Sequence, residues 1–431
     1  MPLIATSGSL AVSKSLDTHV DQPDSWMIEW TTPFVTGSDP TVPPLLTMRG
    51  TQLIADFHRW REVIFDMAYG LPTVVFDQFI SGVLYPTDPF YCHQSYVNSN
   101  NKIFTIGISY TGGPHNLYTI VDSTNATTKY EDYYASTILP ETVLADSSDN
   151  FWVAYITQTG LDIGKYNAGT KLSAVKFTYT YPSTIDYHSV KMEWTSDGKI
   201  LIALDGLYLI KYDQDTNTIV WQIYYLTGSG SHLTGLAQDT LGNIYVSCYN
   251  VLLKFTSSGA SVWRLPMTRI DNIKTDDVGN LYISQFYSTS APYSIRIYKV
   301  DAESVTPSFT WVRSLTPIKS LSNSTSVTNQ GAQLYWADNH YYVSGIMTPS
   351  AGVIFRFPDS GAIPGTGSYI SPSGATVTYT AITPPAFTKT FFVAPAHHSA
   401  MAAGTVTTYS ASTVTLSSAP LNADSEVIDL T

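Results

Sequence analysis

Gly198-Lys199-Ile200-Leu201-Ile202-Ala203, Gly242-Asn243-Ile244-Tyr245-Val246-Ser247 and Gly279-Asn280-Leu281-Tyr282-Ile283-Ser284 are three copies of one phrase. Each begins with a Gly-polar pair and runs into alternating apolar residues, which predicts a hairpin turn feeding a half-buried strand. A second strand follows each copy: Leu209-Ile210-Lys211-Tyr212-Asp213, Leu252-Leu253-Lys254-Phe255-Thr256 and Ile297-Tyr298-Lys299-Val300-Asp301. After a further polar turn comes a tryptophan, Trp221, Trp263 or Trp311. A multi-strand unit that recurs at this length marks a repeat architecture.

Working outward, the same start occurs at Asn101-Lys102-Ile103-Phe104-Thr105-Ile106, Asn150-Phe151-Trp152-Val153-Ala154-Tyr155 and Asn339-His340-Tyr341-Tyr342-Val343-Ser344. Aligning Ile103, Phe151, Ile200, Ile244, Leu281 and Tyr341 gives spacings of 48, 49, 44, 37 and 60 residues, the last gap holding a polar stretch around Ser320 to Gln333. Four antiparallel strands per 40–50 residues is the blade of a β-propeller, in which radial neighbours cover both faces of each sheet. The segments Asp239-Thr240-Leu241-Gly242-Asn243-Ile244-Tyr245-Val246 and Asp276-Asp277-Val278-Gly279-Asn280-Leu281-Tyr282-Ile283 resemble blades of the quinoprotein-like and NHL-like type. That resemblance covers about two thirds of the chain and implies an all-β propeller. Six blades over residues 90–370 are expected. Seven is the nearest alternative, because Val74 to Leu84 offers strands for one more. Gly198, Gly242 and Gly279 are read as blade turns, and Trp221, Trp263 and Trp311 as apolar fillers between blades.

The flanks read differently. Residues 1–89 are expected to form an arm and a helical lead-in. Leu53, Ile54, Phe57, Trp60, Ile64 and Phe65 recur at three- and four-residue steps, which predicts a helix within Leu46 to Tyr69. Residues 371–431 are expected to form a small β module or strand arm. Between Ser360 and Pro420 only Lys389 carries a formal charge, and Thr376 to Thr380, Thr405 to Tyr409 and Ser412 to Leu416 alternate like strands. Residues 1–45 and 371–431 are read as docking segments for neighbouring subunits, since unprotected edge strands invite pairing.

Composition narrows the function classes. Charged residues make up only 13% of the 431 residues, with a net charge of −12, so binding to nucleic acid phosphates is not expected. No apolar run reaches the length of a membrane span, and no secretion signal is visible at Met1 to Thr6. Cys92 and Cys248 lie far apart and read as reduced buried thiols, with one disulfide as the alternative.

Candidate chemistry is sparse. Asp213-Gln214-Asp215-Thr216-Asn217 imitates the start of a calcium loop, but Thr218 and Tyr224 stand where Gly and Glu belong. It reads as a turn. Thr195-Ser196-Asp197-Gly198-Lys199 resembles the Asp-box turn of sialidases without its aromatic residue, and Arg264, Arg296 and Arg313 follow no site pattern. A quinone enzyme would need an adjacent cysteine pair, which is lacking. His397-His398 is an isolated dyad. No residue is assigned a catalytic, cofactor-binding or metal-binding role, and no cofactor is expected.

The ensemble resembles, in style, the tail-associated or fibre proteins of tailed bacteriophages. That resemblance implies a structural or adhesive virion component assembled in the host cytoplasm. Its partners would be other virion subunits in a multi-copy or homo-oligomeric assembly, and a host-surface glycan or protein. The rival readings are a carbohydrate-binding or cell-surface propeller and a propeller oxidoreductase or hydrolase.

Overall fold

The computed structural model describes residues 10–14, 25–30, 43–57, 61–67, 72–79, 90–109, 115–133, 140–157, 160–167, 170–178, 189–204, 208–225, 232–287, 293–303, 307–318, 332–347, 351–362, 367–370, 376–383 and 406–407. His397-His398, Lys389 and Ser412 to Leu416 lie outside them, as do most of residues 1–42.

Seven antiparallel sheets follow one another along the chain. Blade 1 is Leu45–Arg49, Gln52–Phe57, Arg61–Asp66 and Thr73–Phe79. Blade 2 is Phe90–Val97, Ile103–Ser109, His115–Val121 and Thr127–Tyr133. Blade 3 is Pro140–Ala145, Asn150–Thr157, Gly160–Asn167 and Thr170–Thr178. Blade 4 is Val190–Trp194, Ile200–Leu204, Tyr208–Asp213 and Thr218–Tyr224. Blade 5 is Leu233–Gln238, Ile244–Cys248, Val251–Phe255 and Ser261–Pro266. Blade 6 is Ile270–Thr275, Asn280–Tyr287, Tyr293–Asp301 and Ser308–Ile318. Blade 7 takes Gln333–Ala337, His340–Met347 and Ala351–Pro358 from late in the chain and its outer strand, Trp26–Trp30, from the N-terminal region.

The first strands touch their neighbours in an unbroken circuit from blade 1 through blade 7 and back to blade 1, so they form the inner wall of a closed ring. Apolar packing repeats the circuit, with a separate cluster at each of the seven blade interfaces. The fold is a seven-bladed β-propeller.

Six blades therefore become seven. The added blade is the stretch expected to be helical, and among the described residues there is no helix. Blade 1 is built on hairpins: Arg49 faces Gln52 across Gly50-Thr51, and Gly50 sits at φ 56°. Leu53, Ile54 and Ala55 are all 0% exposed because neighbouring blades cover both faces. A strand buried on both sides puts apolar residues at successive positions, and three- and four-residue spacings then arise without a helix. Thr73–Phe79, which overlaps the segment that favoured a seventh blade, supplies its outer strand.

The repeated turn has a physical cause. Asp239 Oδ1 accepts from the backbone N–H of Leu241 (3.1 Å) and Asn243 (2.8 Å), while its Oδ2 accepts from Asn243 Nδ2 and Tyr245 Oη, both at 2.9 Å. Asp276 does the same with Val278, Asn280 and Tyr282. Gly242 and Gly279 take φ 81° and 90°, a left-handed conformation that glycine adopts without a side-chain clash. Two serines at the sixth position of the phrase join blades: Ser284 Oγ donates to Ala332 O (2.6 Å) and Ser344 Oγ to Pro44 O (2.7 Å).

The segments beyond the ring add strands to it. Leu10–Lys14 pairs outside Trp26–Trp30 on blade 7, and Val406–Thr407 pairs with the outer strand of blade 3. Thr376–Ala381 pairs with the outer strand of blade 6, and Ser368–Ile370 pairs beyond it. The Thr376 strand expected to dock on a neighbouring subunit thus sits on its own chain.

Candidate functional site

The inner wall lines a partly open cavity of about 320 Å³ reached by all seven first strands. Alternation decides what these strands show it. In Val190–Trp194, Val190 and Met192 are buried in the apolar cluster between blades 3 and 4, which leaves Lys191 and Glu193 on the cavity. In Ile270–Thr275, Ile270 and Ile273 join the cluster between blades 5 and 6, while Asn272 and Lys274 line the cavity. In blade 7, Leu334 is core and Gln333 and Tyr335 face inward. Gln94, Ser95 and Tyr96 of blade 2, Thr47 of blade 1 and Thr234 of blade 5 complete the polar lining.

The electrostatics are those of a confined, mixed-charge site. Burial lowers the Lys191 pKa, against the attraction of Glu141 and with the repulsion of Lys274. Burial raises the Glu193 carboxyl, against Lys274. The Tyr96 and Tyr335 phenols are both pushed up, chiefly by burial, and both feel Glu193. Lys274 Nζ stands 5.5 Å from the centre of the Tyr335 ring. Asn272 Nδ2 donates to Gln333 Oε1 (2.9 Å), and Gln94 Oε1 accepts from Val143 N (3.1 Å), which fixes all three carboxamides.

Residues singled out in the sequence lie elsewhere. Trp263 is 1% exposed between blades 5 and 6, and Trp311, at 7%, lies between blades 6 and 7 with its Nε1 donating to Asp359 O (3.1 Å). Trp221 is half-buried against the cluster between blades 4 and 5. Each sits opposite the lysine of the repeat: Lys211, Lys254 and Lys299. Gly198, Gly242 and Gly279 occupy the turns between first and second strands, all with positive φ. The calcium-like segment is a turn, with Asp213 Oδ1 accepting from Asp215 N (3.0 Å) and Thr216 N (3.2 Å) and Oδ2 from Lys199 Nζ (2.6 Å). Thr195 Oγ1 accepts from Lys199 N (2.8 Å) and caps the turn that resembles an Asp-box. Arg313 Nε donates to Gly361 O (2.6 Å) on the neighbouring blade. Cys248 is a buried thiol of blade 5. Among the described residues no group of three or more His, Cys, Asp or Glu side chains could hold a metal ion.

A second feature is the outer rim. Added strands cover the outer edges of blades 3, 6 and 7, whereas blade 4 ends in Thr218–Tyr224 with no further described strand. This strand carries no charged residue and no proline, and Val220 on it is 51% exposed. The outer strand of blade 2 holds Lys129, Glu131 and Asp132, that of blade 5 holds Arg264 and Pro266, and that of blade 1 holds Asp77, residues that discourage strand pairing.

No protein-family model matches the chain, and no curated protein matches it. Its likeness is to solved structures. A chain in the crystal structure of the mitotic checkpoint complex is similar at 9% identity with a TM-score of 0.53, over 80% of this chain and 95% of that one. A protein of unknown function from Bacteroides caccae is similar at 13% identity with a TM-score of 0.40, over 61% and 91%. At 9% identity the first likeness shows the propeller fold alone, a scaffold that hosts unrelated functions.

Proposed function

We propose that this protein is a non-enzymatic interaction platform: a structural and adhesive subunit of a virion, in the style of tail or fibre proteins of tailed bacteriophages. The observation that carries the platform reading is the outer rim, where strand addition is already the mode of attachment. Blades 3, 6 and 7 each accept a strand on the outer edge. The outer edge of blade 4, which no further described strand covers, is the matching acceptor for a neighbour, and its lack of charge suits a charge-poor strand such as Ser412 to Leu416 of a second copy. The virion reading adds the low-charge, Tyr- and Thr-rich composition to that rim.

Two measurements separate the parts of this reading. Sedimentation of the purified chain is expected to show concentration-dependent self-association, lost in Val220→Lys while the melting temperature stays unchanged. A wild type that remains monomeric at every concentration would remove the second copy as the occupant. Mass spectrometry of purified particles from the host that carries the gene is expected to find the chain in multiple copies. Its absence there would end the virion reading.

A further inference from the structure

We propose that the central cavity binds a small zwitterion of the amino-acid type, with the ligand ammonium at Glu193 and its carboxylate at Lys274. The site is on the axis of the ring and independent of the rim, so this inference and the platform reading stand or fall separately.

The charge inventory makes the case. Three ionisable side chains line the cavity, Lys191, Glu193 and Lys274, and a fourth, Glu141, stands behind the lining and acts on Lys191, as Lys274 acts on Glu193. They sum to zero. A lone anion or cation would bring uncompensated charge into a confined site, at a cost that a neutral dipole avoids. A zwitterion keeps the balance and offers each end a partner.

Two of the four are available. Neither Glu193 nor Lys274 makes a hydrogen bond or an ion pair among the described residues, although both face the cavity and feel each other's charge. They stand on blades 4 and 6, with blade 5 between them. Lys274 is steadied by the Tyr335 ring rather than by a carboxylate, so its three N–H donors remain open. Near Glu193 the phenol of Tyr96, on the same cavity, supplies a ring face and a hydroxyl of the kind that receive an ammonium. Asn272 and Gln333, already bonded to each other, set the polar wall beside Lys274. At about 320 Å³ the cavity has room for an amino acid or a dipeptide and sits at the small end of ligand pockets.

Calorimetry and thermal shift at neutral pH test this with L-alanine, L-glutamine and dialanine as zwitterions and with acetate and ethylamine as half-ligands. At least one zwitterion is expected to bind and raise the melting temperature, with neither half-ligand doing so at equal concentration. Tighter binding of alanine or glutamine points to a free amino acid, and tighter binding of dialanine to a peptide. Glu193→Gln and Lys274→Met should each weaken binding about tenfold or more, and Lys274→Arg should restore part of it. If a variant fails to fold, the comparison of whole and half ligands on the wild type still decides. Absence of binding by all three zwitterions, or equal binding by acetate or ethylamine, would overturn the proposal.

Discussion

Asp56 and Glu62 show how a single buried pair sets the chemistry of an interface. They face each other across the second and third strands of blade 1, at 1% and 0% exposure. Ser95 Oγ donates to Asp56 Oδ2, and Thr105 Oγ1 donates to Glu62 Oε2 (3.2 Å), both hydroxyls coming from blade 2. The other two oxygens, Asp56 Oδ1 and Glu62 Oε1, have no donor among the described residues, nor has Thr119 Oγ1 nearby on blade 2 a partner. A proton shared between the two carboxyls satisfies both. Arg49 is the cation that faces Glu62. Burial raises Asp56 to about 6 and Glu62 well above the ordinary carboxylate range, and it raises Asp271, between blades 6 and 7, to about 7. A raised folded-state pKa gives stability that is complete below the unfolded value near pH 4 and is lost as pH rises through the folded value. Urea unfolding is therefore expected to show a loss of about 1–3 kcal/mol from pH 5 to pH 8. Asp56→Asn, whose amide can donate to Glu62 without titrating, should flatten that slope. A slope unchanged in Asp56→Asn would locate the titration elsewhere.

At the scale of elements, the strand Thr376–Ala381 decides how far the C-terminal region belongs to the fold. Tyr379 is 0% exposed and stacks on Phe357 of blade 7 with ring centroids 4.1 Å apart at 9°, and its hydroxyl meets that of Tyr341. Val377 is buried in the same cluster. The strand thus wedges two aromatic-rich blades together. Tyr379→Ala is expected to destabilise the chain by about 3–5 kcal/mol, and Tyr379→Phe by about 1 kcal/mol through the lost hydroxyl bond. Calorimetric melting showing a negligible effect for Tyr379→Ala would return this strand to the role of a loose arm. The strand was legible in its alternation, but its destination was not, because it pairs with Arg313 to Thr316, far back in the chain. The hairpins of blades 2 to 7 were legible because a turn that needs positive φ and a short polar residue such as Asp, Asn or Thr leaves those residues in the sequence. Blade 1 lacked that clarity, since Leu53 to Ala55 and Val63 to Phe65 are buried on both faces and show no two-residue alternation. The cavity residues are harder still. Lys191, Glu193, Lys274 and Tyr335 come from three blades and share no linear motif. The only signal was local, a polar residue beside each core residue of a first strand.

For the whole molecule, the question is what keeps seven separate sheets in one ring. Six blade interfaces join sheets adjacent in sequence, and the seventh joins blade 7 to blade 1 across the chain. Trp26–Trp30 completes blade 7 by pairing along Ala351–Pro358, and Ile28, 0% exposed, packs with Leu53, Val63, Phe65 and Tyr342 from both blades. Ser344 Oγ, bonded to Pro44 O, adds a second link at the same seam. Without the N-terminal strand, blade 7 would expose the backbone groups of its third strand and one wall of that cluster, so every other interface would sit in a ring free to open. The closing contact also spans most of the chain, which places its entropic cost on the slowest step of assembly. Deleting residues 1–31 is expected to lower the melting temperature, to broaden the transition as blades unfold less cooperatively, and to promote association through the bared edge. Ile28→Ala, which keeps the strand, should cost about 2–5 kcal/mol and leave the transition sharp. Addition of a peptide spanning residues 24–31 to the truncated chain should recover part of the lost stability. A truncated chain that melts as sharply and as high as the full one would show that the ring holds without its N-terminal closure.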